Sequence, residues 1–111
     1  MKELTKIEET ILLSTMRLGD DAYGVTIKSQ IKKMTGRDYL YNTLYTSLEQ
    51  LVKKGYLSKR FGEPTPTRGG KRKIFFNLTD AGLEALKGSF EKNKSIWAGV
   101  TEETFEKDIV K

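Results

Sequence analysis

The chain changes its hydrophobic period at Gly55, and that change restricts the fold more than any other feature. Before it, apolar residues recur three and four apart, as on packed helices: Ile7, Ile11 and Leu18, then Tyr23, Ile27 and Ile31, then Leu44, Leu48 and Leu51. After it the period is two. Residues 56–60 read as a short strand, and residues 71–78 alternate with Arg72, Ile74, Phe76 and Leu78 on one side. The intervening residues 61–70 are rich in glycine and proline and too long for a tight hairpin, so the strands form a ribbon with a long tip. Helical spacing returns after Thr79.

Local signals set the ends. Thr5 and Glu8 have the spacing of a capping box. In the first helix Leu12, Leu13 and Met16 carry apolarity well beyond the face of Ile7, Ile11, Thr15 and Leu18. So wide an apolar arc calls for cover from two directions, and in a small chain a partner subunit can supply the second. Gly19, Asp20 and Asp21 end this helix and offer an N-cap to the next, expected over about residues 22–33. Gly24 would lie inside that second helix, where it costs about 1 kcal/mol against alanine unless close packing requires it. The third helix, about residues 41–54, buries Leu44, Leu48, Leu51 and Val52, with Gly55 as its stop. Its other face carries Asn42, Thr43, Thr46, Glu49, Gln50 and Lys53, short or amide-bearing groups that reach base edges. Thr79 caps the last helix, where Leu83, Leu86, Phe90, Asn93, Trp97 and Val100 follow a 3,4,3,4,3 seam. The order is a mainly α fold with a two-stranded β wing, that is, a winged helix-turn-helix with one added helix. It divides into residues 1–79, a winged domain, residues 80–98, the added helix, and residues 99–111, a polar tail.

Charge points the same way. The net charge is +5, and Lys53, Lys54, Lys59, Arg60, Arg68, Lys71, Arg72 and Lys73 cluster with Glu63 as the only acid among them. Such a cluster is either a solvated face or a polyanion site. With no histidine and no cysteine, the usual nucleophiles, bases and metal ligands are missing, so no catalytic, cofactor or metal site is expected. The sequence around Gly69, Gly70 and Lys71 is not a phosphate-binding P-loop, because Thr65 stands where its first glycine belongs. No run is apolar enough to span a membrane, the start is expected not to be a signal peptide, and a cytoplasmic setting is expected.

Several segments together resemble the PadR family of transcriptional regulators. Tyr23-Gly24-Val25-Thr26-Ile27 is similar to its second-helix signature, and Thr43-Leu44-Tyr45-Thr46-Ser47-Leu48 to its recognition-helix motif. Leu51-Val52-Lys53-Lys54-Gly55-Tyr56-Leu57 resembles the exit into the wing. Gly69 to Lys73, with Phe75 to Gly82, resembles the wing return and the capped final helix. The order of these segments from about residue 5 to 90 is more specific than any one of them. The chain departs from the family just before the Leu-Tyr motif, where Leu40, Tyr41 and Asn42 stand in place of the usual serine, proline or glycine. The resemblance implies a dimeric cytoplasmic regulator, usually a repressor, released by a small molecule or stress signal. It also implies the short subgroup, with a single C-terminal dimerisation helix.

On this basis Asn42, Thr43, Thr46 and Gln50 are expected to meet DNA bases or phosphates, and Arg68, Lys71, Arg72 and Lys73 the backbone or minor groove. Tyr45 either bonds a phosphate or packs on the second helix, and Glu49 either accepts from a cytosine amine or is repelled by phosphate. The expected dimerisation residues are Leu13, Met16, Leu83, Leu86, Phe90, Asn93 and Trp97. Trp97 is either plain dimer packing or, with its symmetry mate, the wall of a cavity for a planar aromatic or apolar effector. The function classes in contention are a double-stranded DNA-binding regulator, an RNA-binding winged domain and a protein-interaction module.

Overall fold

The computed structural model describes residues 3–63 and 72–110, the side chains of residues 107–110 excepted. Helix α1 (Lys6–Leu18) starts at the expected capping box: Thr5 Oγ1 accepts from the Glu8 amide at 3.2 Å, and Glu8 Oε1 accepts from the Thr5 amide at 2.9 Å. Glu8 is buried, and its second oxygen takes the Lys54 ammonium from the end of the third helix. Burial pushes its pKa up, but the Lys54 ammonium and the Thr5 amide outweigh burial and hold the carboxyl below its ordinary value.

Gly19, with φ near 59°, turns the chain into a short 3₁₀ segment (Gly19–Asp21). Here the structure corrects the sequence reading. Helix α2 is Gly24–Thr35, so Gly24 is its first residue rather than an interior one, and Ala22 and Tyr23 precede it as extended chain. Neither Asp20 nor Asp21 caps it; the Thr26 hydroxyl oxygen accepts from the Tyr23 amide at 3.0 Å instead. The extended path has a tertiary cause. The Ala22 carbonyl accepts from the Phe76 amide at 2.8 Å and Tyr23 makes an isolated antiparallel bridge to Phe75, which ties this segment to the wing.

Helix α3 (Tyr41–Lys53) ends at Lys54, and Gly55 follows with φ near 83°. Strands β1 (Leu57–Phe61) and β2 (Ile74–Leu78) pair antiparallel from Leu57 opposite Leu78 to Phe61 opposite Ile74. The Thr79 hydroxyl oxygen accepts from the Gly82 amide to cap helix α4 (Asp80–Ile96) and donates to the Gly55 carbonyl at 2.6 Å, pinning α4 to the end of α3. The first turn of α4 runs so close to the wing that a Cβ on Gly82 would strike the Tyr56 carbonyl.

One core unites these elements: Ile11 and Leu12 of α1, Ile27 and Ile31 of α2, Leu44, Leu48 and Leu51 of α3, Leu57, Phe76, and Leu86 of α4. The segment expected to be a polar tail carries a further helix, α5 (Glu102–Val110), with Glu102 and Glu103 at the positive end of its dipole. Trp97 ends α4, and its ring centroid lies 6.1 Å from that of Phe105. The expected 3,4,3,4,3 seam therefore stops as regular helix before Val100.

The molecule measures 61 × 29 × 21 Å with a radius of gyration of 17.0 Å. A compact domain of this length would have about 13 Å. The excess comes from α5 and the second half of α4, on which Phe90, Ile96 and Trp97 are exposed. Among the described residues, no helix is long and apolar enough to cross a membrane, and no group of three acidic side chains is placed to hold a metal.

Candidate nucleic-acid interface

Helix α3 presents two chemically distinct faces. Leu44, Leu48 and Leu51 are fully buried, while Asn42, Thr43, Thr46, Glu49, Gln50 and Lys53 are all exposed. The Thr46 hydroxyl donates to the Asn42 carbonyl at 2.8 Å, which commits its proton and leaves its oxygen the role of an acceptor. Gln50 and Asn42 add amides, which both donate and accept.

Acidity on this face is neutralised from within the fold. Lys59 of β1 meets the Glu49 carboxylate at 2.7 Å, which ties the wing base to α3 and removes the charge that would repel phosphate. At the other end of α3, Asp38 accepts from the Lys28 ammonium, with Lys32 at 4.0 Å; Lys28 holds its carboxyl below the usual aspartate value. The Lys28 ammonium also lies 5.2 Å over the Tyr41 ring.

Tyr45 lies against helix α2. A Cβ on Gly24 would run into its hydroxyl, so the close approach explains why glycine opens that helix. The Tyr45 ring remains half exposed and stacks on Tyr41 with centroids 6.1 Å apart.

Two of the wing cations are held by aromatic rings. The Arg60 guanidinium covers the Phe75 ring at 4.4 Å and donates to the Asp20 carbonyl at 2.7 Å. The Lys73 ammonium sits 4.4 Å over the Tyr23 ring and 3.4 Å from its hydroxyl. With Tyr23 edge-on to Phe75 at 5.4 Å, these four side chains brace the wing against the start of α2. Arg72 is exposed just before β2, at the tip end of the ladder, whereas Arg68 and Lys71 lie outside the described residues. Sequence reasoning put Tyr23 on the buried stripe of α2 and so missed this brace. Phe75, an aromatic on the outward side of the β2 alternation, was its signal.

The expected dimerisation residues fall into two sets. Met16, Leu83, Phe90 and Trp97 are exposed, and Leu13 is partly buried. Leu86 is only 6% exposed and packs in the chain's own core. Asn93 is also engaged within the chain: it and Ser89 both donate to Glu9 of α1. Burial pushes the Glu9 pKa up, but the Ser89 hydroxyl and Lys6 prevail and hold it below the ordinary value. A groove of about 420 Å³ runs between the start of α1 and α4, over Leu4, Ala85 and Ile96. A smaller one of about 120 Å³ lies at Leu13, Leu86 and Phe90. Trp97 lines neither.

Comparison with known proteins matches residues 12–88 to the transcriptional regulator PadR-like family. Among solved structures, the complex structure of hsRosR-S1, RosR of H. salinarum, is 25% identical, covering 96% of this chain and 87% of that one, with a TM-score of 0.69. A transcriptional regulator from Clostridium thermocellum is 29% identical over 85% of this chain and 90% of its own, with a TM-score of 0.64. A PadR family transcription regulator from Clostridium difficile shares the fold with a TM-score of 0.70, at 23% identity over 83% of this chain and 91% of its own. A search of curated proteins finds no match.

Proposed function

The chain belongs to the PadR-like family of transcriptional regulators, which are not enzymes, and from that premise we propose that it binds double-stranded DNA sequence-specifically as a homodimer and acts as a repressor. The observation that carries this reading is the outer face of α3. Acceptors and amides at Asn42, Thr43, Thr46 and Gln50 stand exposed beside a carboxylate already neutralised by the wing. The second helix of a helix-turn-helix enters the major groove, where such groups discriminate bases. Arg72 and Lys73, with Arg68 and Lys71 of the wing tip, then contact the phosphate backbone or the minor groove, and Tyr45 supports α3 from its flank.

Dimerisation rests on the projecting half of α4. Phe90 and Trp97, with Met16 and Leu83, offer apolar surface that the chain does not cover itself. In this reading residues 1–79 are the DNA-binding unit and α4 the dimerisation helix, with α5 packed behind Trp97. A planar apolar effector stacked at Trp97 between two subunits would release the repressor. Titration of Trp97 fluorescence with planar aromatics tests that part, and unchanged emission across a varied panel rejects it.

Selection of bound sequences from random duplex DNA tests the whole. The expected result is an inverted repeat with half-sites about one helical turn, roughly 34 Å, apart. Affinity should fall steeply with salt. Weak, salt-insensitive binding would turn the assignment toward a protein-interaction module, and preference for single-stranded RNA toward an RNA-binding domain.

A further inference from the structure

Leu40 is the most exposed large apolar side chain among the described residues, at 76%, and it sits at the N-cap of α3. Tyr41 and Tyr45 follow it, both more than 40% exposed and stacked on each other. A single exposed leucine is ordinary on a protein surface. Here, however, it adjoins an aromatic pair and runs directly into the polar face of Asn42 and Thr43. Asp38, two residues before it, is already paired with Lys28.

Resting on the DNA-binding reading above, the residues that open a recognition helix are those that meet base edges. An apolar side chain there has one complementary group to find. In the major groove every base edge offers donors or acceptors, and only thymine adds an apolar one, its C5 methyl. We propose that Leu40 selects thymine in each half-site by covering that methyl group. The polar face of α3 would then read neighbouring bases by hydrogen bonds, so the helix combines two kinds of readout.

The test uses the full-length protein and a duplex obtained by selection. Thymines are replaced one at a time by deoxyuridine, which keeps every hydrogen bond and removes only the methyl. Wild-type protein should lose about fourfold in affinity at one thymine per half-site, the factor for one buried methyl. Leu40→Ala should bind the thymine and uracil duplexes alike at that position. Because Leu40 is so exposed, the variant should keep its melting temperature, which circular dichroism checks. If no thymine methyl matters more to the wild type than to Leu40→Ala, the inference is wrong while DNA binding stands. If no duplex is selected at all, the DNA-binding reading falls and this inference with it.

Discussion

The ion pair between Glu8 and Lys54 should be strongly asymmetric to mutation. Glu8 is buried, with a side chain 8% exposed, whereas the Lys54 side chain is 39% exposed. Glu8→Gln keeps an oxygen to accept from the Thr5 amide, so the cap survives and only the charge pair is lost. Lys54 then returns to water, and the cost is about 0.5–1 kcal/mol. Lys54→Met instead leaves a buried carboxylate with the Thr5 amide as its main remaining support. That unpaired charge should cost about 2 kcal/mol at neutral pH. In melting temperature the two variants should fall by roughly 2–4 °C and 8 °C, at about 4 °C per kcal/mol. The pH dependence is set by the sign of the shift. The folded-state pKa of Glu8 lies below its unfolded value. Its contribution is therefore complete above the unfolded value of about 4.3 and is lost as pH falls through the lower folded value. In Lys54→Met that lowering is largely removed, so the gap between the variant and the wild type should close in acid. Thermal melts of all three proteins from pH 7 down to about pH 3 measure this. A Lys54→Met variant no less stable than Glu8→Gln at pH 7 would refute the reasoning.

Gly82→Ala drives a methyl onto the Tyr56 carbonyl, a backbone atom that cannot step aside, and should cost about 2–3 kcal/mol in urea unfolding. Gly24→Ala meets the Tyr45 hydroxyl, the far end of a side chain, so it should cost only about 1 kcal/mol, and less in a Tyr45→Phe background. Equal costs in both backgrounds would mean that the hydroxyl is not the obstacle. Arg72→Ala should weaken binding to all duplexes alike and, with one Arg72 lost from each subunit of the dimer, reduce the salt slope by about 1.8, as measured by fluorescence anisotropy at several salt concentrations.

The order of elements as far as α4 and most of their ends could be read from the sequence, because they depend on neighbours three or four residues apart, whereas α5 was not foreseen in the polar tail. The capping box at Thr5 and Glu8, the Thr79 cap and the turn at Gly55 are each satisfied locally. The buried stripe of α3 follows from helical geometry alone, and with it the polar face opposite. For the same reason Asn42, Thr46 and Gln50 could be assigned to an exposed surface before any contact was known.

What only the tertiary structure decided are pairings between distant residues. Ala22 and Tyr23 carry a helical pattern, yet they are extended because the Phe76 amide needs the Ala22 carbonyl. Leu86 falls on a seam by spacing, yet it is spent inside the chain's own core. Asn93 likewise turns to Glu9, far away in sequence. The basic cluster was legible as charge, but not its division, in which Lys54 goes to Glu8, Lys59 to Glu49, and Arg60 and Lys73 to aromatic rings. Periodicity states which side of an element is apolar. It carries no information on which distant group a long side chain will reach, because packing sets that distance.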